Sequence, residues 1–181
     1  LIVVAAACLV LGLDPITPPS RKELLAWLSL GSLALCIGLT GGQISVLNLR
    51  LSAFSDLIVV DAYARFWKLL LYGVTGLTIL MSLPYLKAER LHLGEYYGFT
   101  LLALSGMMVM VSGVDLLTIY LGTELMSLSL YVMAGLKRSS PRSLEASAKY
   151  FVLGAFSSGL LLYGISLLYG ISGSTRLEAI A

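Results

Sequence analysis

Charge is scarce in this chain: 10 acidic and 12 basic side chains among 181 residues, or 12%, against about 25% in an ordinary soluble domain. The net charge of +2 is too small to imply a nucleic-acid partner. Histidine occurs once and cysteine twice. Cys8 and Cys36 both sit in apolar runs with no cysteine or histidine at ligand spacing, which argues against a metal or iron-sulfur site and reads them as small buried hydrophobes. His92 lies in a charged loop with Lys87, Glu89, Arg90 and Glu95 and reads as solvated. A glycine-rich dinucleotide motif is missing, as is any internal repeat. Ten-residue segments of alternating polarity are missing too, which argues against a membrane β-barrel.

Long apolar runs are what the chain does have. With 58% hydrophobic residues and a mean hydropathy of +0.92, it reads as an all-α, polytopic transmembrane helix bundle forming a single transmembrane domain. Six spans are expected, at about 1–13, 24–43, 61–83, 96–111, 115–136 and 141–171. The first begins inside an apolar run without a methionine, so it reads as the tail of a truncated helix, and the chain as a fragment continuing beyond Ala181. Three prolines between Pro15 and Pro19 interrupt the helix pattern. The stretch 44–61 alternates weakly and is expected to hold a short hairpin. Pro84 is expected to end the third helix. A short exit at Ser112-Gly113 makes the fourth and fifth spans antiparallel neighbours. Ser140 as N-cap and Pro141 at the first helical position start the sixth.

The loops fix an orientation. Loops one, three and five carry seven basic residues (Arg21, Lys22, Lys87, Arg90, Lys137, Arg138, Arg142), and the other side carries three (Arg50, Arg65, Arg176). Basic residues gather on the cytoplasmic side, which puts the N-terminus outside.

Against this apolar background the few charges within spans stand out. Glu124 is the only formal charge between Leu116 and Leu136 and lies near mid-span. An ionisable group at that depth costs about 2.5–3.5 kcal/mol on insertion scales, which makes Glu124 a functional candidate by default. Lys149 stands eight residues after Pro141. Axial arithmetic puts it about 6 Å from the level of Glu124 and predicts that the two face one another. The competing reading pairs Lys149 with Glu145, one turn earlier. Asp61 precedes Arg65 by four residues and Lys68 by seven. That face would carry an ion pair into the membrane edge, although Lys68 snorkelling to the headgroups beside Phe66 and Trp67 is the simpler expectation. Asp115 is a further candidate.

From Glu95 to Gly173 several elements occur in order: Asp115-Leu116-Leu117, Glu124-Leu125-Met126-Ser127, the basic loop Lys137-Arg138, Glu145-Ala146 and Lys149-Tyr150-Phe151. This run resembles the antiporter-like membrane subunits of respiratory complex I, in particular the subunit N type of the bacterial NADH-quinone oxidoreductase. The first 94 residues fit more loosely. The resemblance implies the first part of an antiporter-like inverted-repeat fold in a proton-pumping translocase, with Glu124 and Lys149 as pump residues on a hydrated path. It implies that this chain binds no cofactor, while NADH, FMN, iron-sulfur clusters and quinone belong to partner subunits. The implied neighbours are the lipid bilayer and other membrane-arm subunits, antiporter-like ones among them. The implied site is a bacterial cytoplasmic membrane, with a thylakoid or mitochondrial inner membrane as the alternative. A cation/proton antiporter subunit of the related multi-subunit type, or a structural membrane scaffold, would keep the same two charges.

Overall fold

The computed structural model describes residues 1–181 except 19–20, 43–50, 55, 90, 92–93 and 181. His92, Arg50, Arg90 and the first part of the 44–61 stretch fall outside the described residues. Six helices make the body: α1 (Ile2–Leu13), α2 (Glu23–Gly42), α3 (Ala62–Ala88), α4 (Glu95–Ser112), α5 (Leu116–Ala134) and α6 (Pro141–Ser172). A two-stranded antiparallel hairpin, β1 (Leu51–Ala53) with β2 (Ile58–Val60), precedes α3, and a final turn α7 (Leu177–Ile180) follows α6. Among the described residues, α2, α3, α5 and α6 are each long and apolar enough to cross a membrane.

α4 is the axis of the bundle. It packs against α1, α3 and α5, and nine of its 18 residues are buried, whereas α6 buries only Ile165 among 32 residues. The core joins α1 to α4 through Val10, Leu33, Ile79, Leu101 and Leu104, each at most 2% exposed. α4 and α5 touch backbone to backbone. A Cβ added at Gly106 would lie 2.5 Å from the Gly122 carbonyl oxygen and 2.6 Å from the Met126 nitrogen. Small residues at a helix crossing allow such an approach.

The two ends are built differently. At one end, ion pairs link successive loops and helix ends: Lys22–Asp14 at 2.9 Å, Lys87–Glu23 at 3.0 Å, Lys137–Glu89 at 2.6 Å and Arg138–Glu95 at 3.3 Å. These pairs bring loops one, three and five to a common end. The Glu89 carboxylate pushes the Lys137 ammonium pKa up, chiefly through their hydrogen bond. At the other end backbone hydrogen bonds take over. Val114 N–H donates to Leu57 O, Leu116 N–H to Thr175 O and Leu177 N–H to Val114 O, at 3.2, 2.9 and 3.1 Å. The hairpin, the α4–α5 turn and the segment after α6 are thereby tied into one backbone patch.

Pro84 does not end α3, which continues to Ala88. A proline removes one main-chain hydrogen bond and strains the turn before it. Here burial of Leu86 and the Lys87–Glu23 pair hold the last turn in place. α6 starts as its sequence predicts: Ser140 accepts from Ser143 N–H, and Pro141 occupies the first turn.

Candidate functional site

Glu124 lies two residues past Gly122, at the level where α4 and α5 touch. Its side chain is partly buried, and the Ser158 hydroxyl of α6 donates to its Oε1. The α6 face turned toward α5 can be read from its contacts. Ser143 Oγ donates to Ala134 O at 2.6 Å and Ser147 Oγ to Tyr131 O at 2.7 Å. A side chain at Gly154 would collide with the Tyr131 hydroxyl. Positions 143, 147, 154 and 158 thus form one helical stripe.

Lys149 is not on that stripe. It pairs with Glu145, one turn earlier, and the two side chains are 71% and 62% exposed. The expectation that Lys149 faces Glu124 is therefore corrected, for two reasons that axial arithmetic omits. Nine residues separate Lys149 from Ser158, which at 3.6 residues per turn is two and a half turns: a rise of about 13.5 Å and a reversal of face. Side chains also lean toward their own helix N-terminus, so in an antiparallel pair Glu124 leans away from the loop-five end and Lys149 leans toward it.

The other candidates fall at two places. Asp115 is the N-cap of α5: its Oδ1 accepts from Leu117 N–H at 2.9 Å and Thr118 N–H at 3.2 Å, and its Oδ2 accepts from Thr175 Oγ1 at 2.5 Å. Asp61 caps α3, accepting from Ala64 N–H at 2.8 Å. Lys68 is half-buried and lines a cleft with Ser105 and Ser112, while its neighbours Phe66 and Trp67 are exposed. The sequence carries the signal for this: Lys68 is in heptad register with the buried Tyr72, Thr75 and Ile79. Ser158 is the residue that sequence reasoning missed as a partner.

Curated relatives match this chain along its length. Subunit N of the NADH-quinone oxidoreductase from Trichlorobacter lovleyi is 46% identical over 167 residues, covering 91% of this chain and 33% of that protein. Subunit N from Thioalkalivibrio sulfidiphilus is 40% identical over 185 residues, covering 100% of this chain and 37% of its own length. The chain belongs to the NADH-quinone oxidoreductase subunit N family. It spans about a third of the length of these subunit N relatives. A family model described as NADH:quinone oxidoreductase/Mrp antiporter, TM, matches residues 113–181, which hold α5, α6 and Glu124. Respiratory complex I from Thermus thermophilus with bound aureothin contains a chain similar in fold, at a TM-score of 0.78 and 27% identity over 97% of this chain and 37% of that one. The membrane-bound sulfane sulfur reductase, an archaeal respiratory membrane complex, shares the fold at a TM-score of 0.80 and 21% identity, over 99% of this chain and 38% of that one. The subunit N family fold is thus an antiporter-like membrane bundle, and the present chain is a membrane-embedded part of it.

Proposed function

We propose that the protein is a proton-translocating subunit of an NADH-quinone oxidoreductase, driven by electron transfer in partner subunits that carry NADH, FMN, iron-sulfur clusters and quinone. One observation carries the reading: a single carboxyl within α5, at the level of the tightest helix crossing, meets a hydroxyl from α6. A serine can donate to the carboxylate and accept from the protonated acid, so Ser158 follows Glu124 through both states of a proton cycle. Lys149 and Glu145 form a second charged station on the opposite face of α6, turned toward whatever covers that face in the membrane arm.

The test is Glu124→Gln in the full-length subunit of the assembled complex. Proton pumping by inverted vesicles is expected to fall by about tenfold at unchanged complex yield. Full pumping would remove Glu124 from the mechanism.

The orientation proposal puts the ion-paired end in the cytoplasm of a bacterium and the N-terminus outside. With Cys8 and Cys36 replaced, a Ser139→Cys variant is expected to react with an impermeant thiol reagent in inverted vesicles and not in intact cells. The opposite pattern would reverse the topology.

A further inference from the structure

A cleft with mostly apolar walls, reached by three polar side chains, lies on the other flank of α4. It is a cleft of about 170 Å³, walled by α1, the hairpin, α3 and α4, and entered by Lys68, Ser105 and Ser112. At about 30 Å³ per molecule in the liquid, it has room for roughly five waters. Its polar lining is not self-sufficient. The Ser112 hydroxyl oxygen is buried with no hydrogen-bond partner among the described residues, in a residue 3% exposed. A buried hydroxyl left in this state marks an ordered water or ligand site. The Ser105 hydroxyl donates to Leu101 O at 2.8 Å and keeps its own lone pairs for another donor. The Lys68 amine brings up to three donors into the same space. Asp61, the acid two turns earlier, turns one carboxylate oxygen back onto its own helix. Among the described residues, Asp61 at the cap of α3, Arg65 within it and Asp56 in the hairpin turn are the neighbouring charges, while α1, β2 and the α4 segment 105–112 bring none.

The depth of the cleft gives it a direction. Lys68 stands six residues into α3, about 9 Å from the hairpin end, and Ser105 to Ser112 cover about 10 Å of α4. Because Gly106 meets Gly122 across the crossing, Ser105 is level with Thr123 and Glu124. The cleft therefore runs from near the hairpin end to the depth of Glu124.

We propose that this cleft is a water-filled chamber in which the Lys68 amine takes up and releases a proton, with Ser105 and Ser112 ordering the water between it and the hairpin end. The proposal rests on the proton-translocation reading for its purpose, but the chamber itself is open to separate measurement. In the step, one N–H bond of the lysine ammonium breaks as a bond forms to a water oxygen. The amine is left neutral and the proton passes along the water, with no oxidant or reductant involved.

The experiment uses the full-length subunit in its assembled complex, with Cys8 and Cys36 replaced by alanine. Ser112→Cys is probed with a small cationic methanethiosulfonate reagent, and Leu104→Cys, at a fully buried core position, serves as the dry control. Labelling of Ser112→Cys from the hairpin side, with Leu104→Cys unreactive, is expected, and an unreactive Ser112→Cys would overturn the chamber. Lys68→Met and Lys68→Arg are then compared for pumping per assembled complex. Both are expected to lose about tenfold, because a guanidinium keeps the charge but does not release a proton near neutral pH. Wild-type pumping in Lys68→Arg would reduce Lys68 to a fixed charge and overturn its proton step. Should Glu124→Gln pump normally while Ser112→Cys still labels, the failure would lie with the Glu124 reading and not with the chamber.

Discussion

Gly106→Ala is expected to destabilise the assembled protein by about 3 kcal/mol, at the upper end of the range for overpacked cores. The cost follows from what the new methyl would meet. A flexible side chain could step aside, but at Gly106 the nearest atoms are the Gly122 carbonyl oxygen and the Met126 nitrogen, both backbone of α5. The helices have to separate, and the separation is felt two residues on at Glu124 and its Ser158 partner. Gly73→Ala is the matched control, since nothing lies within 4 Å of its added Cβ. There the methyl should be neutral or gain up to about 1 kcal/mol from helix propensity. Thermal denaturation of the two purified variants checks the contrast, and equal midpoints would refute the close crossing.

Asp115→Ala should cost about 2–4 kcal/mol. Loss of an N-cap accounts for roughly 0.5–2 kcal/mol. A Thr175 hydroxyl left without its acceptor adds about 1–3 kcal/mol. Asp115→Asn keeps a carbonyl oxygen for Leu117 and Thr118 and should retain most of the stability. The loss in Asp115→Ala should be accompanied by release of the segment after α6, read as new proteolytic cleavage between Gly173 and Leu177. A variant as stable and as protease-resistant as wild type would mean that the cap and the Thr175 contact contribute nothing measurable.

Much of this architecture was legible in the sequence because apolar run length and breaker residues act locally. The helix order, the Ser140–Pro141 start of α6 and the short turn into α5 follow from such signals. Pro84 misled because the forces that keep α3 going past it, the burial of Leu86 and the reach of Lys87 to Glu23, come from other helices. Glu124 was legible from charge against an apolar background, while its partner was not. A serine in an apolar helix carries no charge to mark it, and finding Ser158 requires the face of α6 as well as its depth. The same omission made Lys149 look like a partner. The heptad register of Lys68 with the buried Tyr72, Thr75 and Ile79 was also present in the sequence, beside the exposed aromatic pair Phe66 and Trp67. Asp115 read only as a further site candidate, and its role as the cap of α5 emerged with its three accepted hydrogen bonds.

The central position of α4 has a consequence for how the protein is made. α4 is not among the helices long and apolar enough to cross a membrane, for it carries Glu95, Thr100, Ser105 and paired tyrosines in 18 residues. Emerging from the insertion machinery, such a segment gains less from lipid than the segments before and after it. α5 follows within three residues and meets α4 at glycine on both sides, so the two can enter as one helical hairpin whose polar groups are covered by protein. Association that ordinarily follows insertion can here accompany it, and synthesis that stalled between α4 and α5 would leave the bundle's own axis without the partner that meets it at Gly106 and Gly122.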